Sequence, residues 1–253
     1  MRPAEERLQV CDLADAGHDT AQIARLTGIP YSTVRNWLKP RYQPRYTGPR
    51  CVLCRYPPHD FDALPAPAYS YLLGIYLGDG TVARMPRTLA LRVYMDSRYP
   101  NIIGEVAAAM RAVMPTSLAT VHPRRTHNLV IIRSYSKAWQ CLIPQIGPGR
   151  KCDRKIDLAD WQQAIVEREP EQFIRGLIHS DGCRTTNRVT IKGKRYEYPR
   201  YFFTQVSRDI QELFCRSLRQ LGVEYRFSRR GKDVTIHRRA SVARLDTFVG
   251  PKS

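Results

Sequence analysis

The stretch Leu72-Leu73-Gly74-Ile75-Tyr76-Leu77-Gly78-Asp79-Gly80 returns in the second half of the chain as Ile174-Arg175-Gly176-Leu177-Ile178-His179-Ser180-Asp181-Gly182. Both copies are apolar runs that end in Asp-Gly, and each reads as a helix whose small residues (Gly74 and Gly78, Gly176 and Ser180) lie four apart on one face. A mid-helix glycine costs roughly 1 kcal/mol against alanine, so its repetition predicts that another backbone approaches there. The glycine after each aspartate suits a left-handed C′ position. Each aspartate sits on the last turn, at the negative end of the helix dipole, where a cation is the favoured occupant. That placement, made twice, predicts a metal ion between the two side chains.

The sequence around the two copies repeats as well. After Gly80, Leu89, Leu91, Val93 and Met95 alternate with Thr88, Ala90, Arg92 and Tyr94, the pattern of a half-buried strand. A helix through Ile102, Val106 and Met110 follows, then strands over 118–123 and 128–134, then a helix through Trp139 and Leu142. The second half runs through strands at 189–192 and 200–206, a helix from Ile210 to Leu221, a hairpin with Arg229-Arg230-Gly231-Lys232 at its tip, and a helix holding Val242, Leu245 and Phe248. Ser97-Arg98 is echoed by Ser207-Arg208, and Gly147-Pro148-Gly149-Arg150-Lys151 by Gly250-Pro251-Lys252. Asp79 precedes Lys151 by 72 positions and Asp181 precedes Lys252 by 71. Matched features at matched separations predict an internal duplication.

Two Asp-Gly helices, each opening an α-β-β-α-β-β-α half, resemble the LAGLIDADG homing endonuclease family in its single-chain, two-repeat form. The resemblance spans 67–253 and divides it into a first repeat, 67–158, and a second, 159–253. It implies an α+β pseudo-dimer, a monomer with internal pseudo-two-fold symmetry. The motif helices would pack through Gly74, Gly78, Gly176 and Ser180, and curved antiparallel sheets would form a basic saddle over double-stranded DNA. By position, Asp79 and Asp181 would bind divalent metal at the scissile phosphates. Phosphodiester hydrolysis suits that assignment, because Mg²⁺ prefers carboxylate and water oxygens, polarises the phosphoryl group and activates water. Lys151 and Lys252, which recur with the repeat, are candidates for stabilising transition-state charge, or else contact phosphate or solvent. The strand faces with Arg92, Tyr94, Lys192, Lys194, Arg195 and Arg200 would touch DNA. The motif departs from the family at Leu77 and His179, where the family's name has Asp, and at Arg175, which must reach solvent or DNA. His179 reads as structural.

The first 40 residues hold three short helical patterns, with Leu8, Val10, Cys11 and Leu13 inward in the first and Ile23, Ala24 and Leu26 in the second. Ser32 is placed to cap the third, which buries Val34, Trp37 and Leu38. The run from Ile23 to Leu38 resembles the helix-turn-helix of bacterial regulators and recombinases. That resemblance sets Tyr31, Thr33, Arg35, Asn36 and Lys39 toward the major groove; a protein-interaction module with a solvated basic face is the other reading. Some bacterial regulators resemble the whole assembly and bind DNA without cutting, typically after losing their motif acids. This chain keeps both. The function expected is therefore metal-dependent DNA cleavage, with a non-cleaving transcriptional regulator as the alternative.

A net charge of +18 and a pI near 10.0 point to a polyanionic partner. No apolar run is long enough for a membrane span and no signal-peptide core is present, so the expected setting is cytoplasmic and nucleoid-associated. Residues 41–66, rich in proline and arginine, read as an unpacked linker. Cys51-Val52-Leu53-Cys54 has metal-like spacing, but His59 is the nearest further ligand and no second Cys-x-x-Cys completes a set, so zinc at Cys51 and Cys54 is not expected.

Overall fold

The computed structural model describes residues 4–38, 48–124, 128–229 and 231–252. The chain divides into two compact units, Met1–Arg50 and Cys51–Ser253. In the first, helices α1 (Ala4–Asp15), α2 (Thr20–Thr27) and α3 (Tyr31–Leu38) enclose Val10, Ile23, Ile29 and Val34. Asp19 caps α2: its carboxylate accepts from the amides of Ala21 and Gln22, both at 2.8 Å, while Gln22 reaches back to the Asp19 amide. Gly28, at φ 68°, ends that helix. Ser32 is not a cap. The helix begins one residue earlier, with the amides of Thr33 and Val34 donating to the Pro30 carbonyl. Leu8 and Leu26 are exposed rather than inward, since helices this short enclose only the one row of side chains centred on Val10 and Ile23.

The second unit is a duplicated α+β fold. Its first half runs α4 (Ala66–Asp79), β1 (Gly80–Arg84), β2 (Leu89–Asp96), α5 (Pro100–Val113), β3 (Thr120–Pro123), β4 (Leu129–Tyr135) and α6 (Trp139–Leu142). After α7 (Asp160–Arg168), the second half runs α8 (Pro170–Asp181), β5 (Gly182–Ile191), β6 (Lys194–Thr204), α9 (Arg208–Gln220), β7 (Arg226–Phe227), β8 (Asp233–Ile236) and α10 (Arg239–Asp246). The sheets are antiparallel and have the same order, β1-β2-β4-β3 and β5-β6-β8-β7. One face of each joins a continuous core: Leu91, Val93, Met95, Val130 and Ile132 from the first, Tyr201, Phe203, Val234 and Ile236 from the second. The opposite faces are left for solvent or a partner. No helix among the described residues is long and apolar enough to cross a membrane.

The two halves meet along α4 and α8. A Cβ on Gly74 would lie 2.5 Å from the Phe173 carbonyl oxygen, and one on Gly176 would lie 2.3 Å from that of Tyr71. Glycine is therefore required at both sites, because the obstacle is backbone and cannot turn aside. Gly80 and Gly182 correct the sequence reading: neither is left-handed (φ −91° and −105°), and each helix passes straight into a strand. What forbids a side chain is space, since a Cβ would come within 2.5 Å of Tyr76 Cα at Gly80 and 2.7 Å of Ile178 Cα at Gly182.

Three further differences have physical causes. Strand β5 starts at Gly182 and β6 at Lys194, well before the sequence signal, because the outer part of this hairpin is polar on both faces and shows no alternation. Helix α7 follows Ala159 without an apolar run long enough to announce it. Residues 51–66 are not a free linker: Cys54 is fully buried and Phe61 stacks on Trp161 with ring centroids 4.0 Å apart.

Candidate active site and nucleic-acid interface

Helices α4 and α8 end side by side, which brings Asp79 and Asp181 together at one end of the interface. A Cβ at Gly78 would stand 3.0 Å from the Asp181 Oδ2 atom, so the Asp181 carboxylate reaches across to the motif helix of the other half. Burial raises the pKa of Asp79. Burial and the neighbouring Asp79 charge push Asp181 up to about 6. Lys151 and Lys252 pull the other way on both. Gln205 Nε2 donates to Asp181 Oδ2 at 2.8 Å and fixes its orientation.

The two lysines occupy the position the helix dipole assigns to a cation. Lys151 Nζ donates to the carbonyls of Tyr76, Gly78 (2.7 Å) and Gly80 (3.0 Å), and Lys252 Nζ donates to those of Ser180 (3.1 Å) and Gly182 (2.7 Å). Each thus sits on the carbonyls where its own repeat's motif helix passes into a strand, adding a charged donor at the negative end of the helix. Burial lowers Lys151 to about 8, against the nearby charges of Asp181 and Asp79. Burial also lowers Lys252, against Asp79 most strongly. Each lysine therefore feels the other half's aspartate more than its own. Both side chains are half-buried, with their ammonium groups tied to backbone carbonyls.

The donor set fits a hard divalent cation. Two half-buried carboxylates, both raised by burial and Asp181 also by the Asp79 charge, are relieved by a positive ion between them, and two protein oxygens leave coordination positions for water and phosphate, as Mg²⁺ prefers.

Of the other expected site residues, Arg92 and Tyr94 lie on the outer face of the first sheet, half-buried, and Arg92 stands in register with both Thr81 and Arg133. Like charges directly opposed across strands are destabilising unless an anion covers them. The Nε atoms of Arg92, Arg133 and Arg200 are buried and lack a hydrogen-bond partner. In the second sheet, Lys194 and Arg200 share one face, whereas Arg195 falls on the other, beside Glu197 at 3.7 Å. Lys192 sits in the hairpin turn, at φ 48°. Arg195 therefore does not belong with the set, because a period of two separates it from its neighbours. Sequence reading missed Arg133, and also Tyr196 and Tyr198, which stack on the Arg200 face with centroids 6.4 Å apart. Register with Arg92 was the missing signal, and it is not visible before the strands are paired. On α3, Tyr31, Arg35 and Asn36 are exposed and Thr33 is half-buried; Lys39 lies outside the described residues.

His179 is buried, with Nδ1 3.0 Å from the Tyr71 hydroxyl and Nε2 2.9 Å from the Val249 carbonyl oxygen. That carbonyl only accepts, so Nε2 carries the proton and Nδ1 accepts from Tyr71. Arg175 stays partly exposed, at 24% of its side chain, and donates to the Val249 carbonyl at 3.2 Å and to Glu105 at 2.7 Å.

Residues 2–42 match the family model of a homeodomain-like domain. No curated protein matches the chain. Among solved structures, the meganuclease I-SmaMI bound to uncleaveable DNA is similar over 72% of this chain and 84% of its own, at 10% identity and a TM-score of 0.47. I-DmoI in complex with its nicked target DNA in the presence of manganese is similar over 73% and 96%, at 16% identity and a TM-score of 0.47. The LAGLIDADG homing endonuclease I-LtrWI bound to target DNA is similar over 76% and 83%, at 8% identity and a TM-score of 0.46.

Proposed function

We propose that this chain is a site-specific endonuclease that hydrolyses phosphodiester bonds in double-stranded DNA with a divalent metal ion, Mg²⁺ being the natural choice. The observation that carries the reading is the convergence of Asp79 and Asp181 at the ends of two pseudo-symmetric helices. One carboxylate per half matches one strand cut per half. A bound divalent ion would polarise the phosphoryl oxygen, lower the pKa of a water nucleophile and steady the leaving alkoxide.

The chain's own residues do the rest. Asp79 and Asp181 supply the oxygen donors, and Gln205 holds Asp181 in place. Lys151 and Lys252 fix the two helix ends and offset the carboxylate charge, which makes them positioning residues. Arg92, Arg133, Lys194 and Arg200, with Tyr94 on the first sheet and Tyr196 and Tyr198 on the second, present cations and aromatic rings on the open sheet faces, where a phosphate backbone would relieve the orphaned guanidinium nitrogens. Tyr31, Thr33, Arg35 and Asn36 give the helix-turn-helix its own groove-reading surface, and arginine and asparagine suit bidentate contact with guanine and adenine.

The test uses plasmids carrying the DNA that flanks the chain's own gene. The intact protein with Mg²⁺ is expected to nick or linearise one of them. Asp79→Asn and Asp181→Asn should each lose roughly 100-fold or more in rate while still binding, since each 1.36 kcal/mol lost from the transition state is tenfold. Affinity should fall steeply with salt as counterions are released. Tight binding with no cutting under any divalent metal would replace this reading with the non-cleaving regulator.

A further inference from the structure

Outside the aspartate pair, one cluster of chemically reactive side chains has no role in the proposed cleavage. The ligand atoms of Cys51, Cys54, His59 and Cys141 all lie within 4.8 Å of one another, and among the described residues no other group of three or more His, Cys, Asp or Glu side chains converges in this way. The Cys51 and Cys141 sulfurs are 3.6 Å apart, and the Cys54 sulfur is 3.1 Å from His59 Nε2. A tetrahedral zinc ion with Zn–S of about 2.3 Å and Zn–N of about 2.0–2.1 Å places sulfurs roughly 3.8 Å apart and sulfur and nitrogen roughly 3.5 Å apart. The cluster is already close to that size.

The local backbone is shaped for the same purpose. Cys51 and Cys54 are presented by a tight turn in which the Arg55 amide donates to the Cys51 carbonyl at 2.9 Å, and Arg55 itself is left-handed at φ 66°. The Tyr56 amide points at the Cys54 sulfur at 3.5 Å, as a donor that steadies a metal-bound thiolate does. Apolar packing does not explain the turn, because Val52 and Leu53 are 79% and 64% exposed. Cys54 and Cys141 are buried, and Cys141 comes from α6, 90 residues further along the chain. This distance is why the sequence reading found only three ligands: the fourth is not a sequence neighbour. The expectation against zinc at Cys51 and Cys54 rested on a missing fourth ligand, and Cys141 stands in that position.

We propose that Cys51, Cys54, His59 and Cys141 form a structural Cys₃His zinc site that fastens the first turn of the second unit to α6. Three thiolates and an imidazole in a four-coordinate set favour zinc over the hard ions that suit Asp79 and Asp181. The four ligands leave no open position, so the site is structural and not hydrolytic. A disulfide between Cys51 and Cys141 would leave Cys54 and His59 unexplained.

The test is metal content of the full chain, purified with reductant and without chelator. One zinc per chain is expected. It should fall to background in Cys54→Ser and Cys141→Ser and stay unchanged in Cys11→Ser, whose thiol lies in α1. Should the serine variants fail to fold, cobalt exchanged into the wild-type chain still decides: tetrahedral ligand-field bands with charge transfer from three thiolates are expected. An octahedral or two-thiolate spectrum, the absence of zinc, or zinc retained in the folded Cys141→Ser protein would overturn the site.

Discussion

Helices α4 and α8 are copies that have been buried differently. Along α4 every residue from Tyr69 to Leu77 is buried, with Leu73 and Leu77 inside the apolar core; at the matching positions α8 carries Arg175 and His179. Those polar groups are paired with Tyr71, Glu105 and the Val249 carbonyl, His179 fully buried and Arg175 partly exposed. What the helices share is narrower: glycines where backbone meets backbone, an aspartate on the last turn, and a lysine beneath it. Duplication has preserved the contacts in which a side chain cannot substitute for another and has let the flanks diverge. Four groups of substitutions test how far that division holds.

The largest effect should come at the glycines. Gly74→Ala and Gly176→Ala set a methyl against a carbonyl oxygen of the opposite helix, which must force the halves apart; a cost of about 3 kcal/mol or more is expected in chemical denaturation, the upper end for overpacking. Gly78 is the counterexample that sharpens the point. A Cβ there would meet the Ser180 side chain, with Oγ at 2.1 Å, so Gly78→Ala should be rescued by Ser180→Gly in a double mutant, whereas no side-chain change should rescue Gly74→Ala. If both alanines behave alike, backbone contact is not what the motif conserves.

This shared part is also what was legible from sequence. Gly74, Gly176, Asp79 and Asp181 stand out because a glycine inside a helix and an acid at its end are locally unfavourable, and their repetition needs a cause beyond the helix. The lysines were found by spacing alone, and their contacts depend on how the chain returns beneath each helix. Cys141 and Arg133 were not legible, since their partners are set by tertiary packing and by strand register. The left-handed glycine expected after each aspartate was wrong because an Asp-Gly pair gives no sign that a strand follows directly.

The lysines come next in size. Lys151→Met removes the donor to the carbonyls of Tyr76, Gly78 and Gly80, of which Tyr76 keeps the Gly80 amide, and Lys252→Met removes the donor to those of Ser180 and Gly182; roughly 1–3 kcal/mol is expected for each group left buried and unsatisfied, less whatever water regains. Lys151→Met should therefore lower thermal stability more than Lys252→Met. The reverse order would mean that the lysines act chiefly on the opposite half's aspartate and not on these carbonyls.

His179→Leu copies the first repeat into the second. It removes the acceptor for the Tyr71 hydroxyl and the donor to the Val249 carbonyl, and about 1–3 kcal/mol should be lost despite the gain in apolar character. A neutral result would show that the polar flank of α8 is a tolerated remnant. The paired change with Tyr71→Phe should recover most of the loss, since it removes the stranded hydroxyl while the Val249 carbonyl keeps Arg175 as a donor.

The smallest effect concerns a contact that only the second half makes. Asp246 at the end of α10 accepts from Arg184 on β5, at 2.7 and 2.9 Å, and from the Tyr201 hydroxyl at 2.6 Å. The Arg184 hydrogen bonds hold its carboxyl below the usual carboxylate range. A folded-state pKa below the unfolded one contributes stability that is fully present above the unfolded value, about 3.9, and is lost as pH falls through the folded value. Both charged partners are well exposed, so at most about 1 kcal/mol is at stake. Melting curves of wild type and Asp246→Asn should therefore differ slightly above pH 5 and converge in more acid solution. A difference that persists at low pH would mean that geometry, and not charge, ties α10 to its sheet.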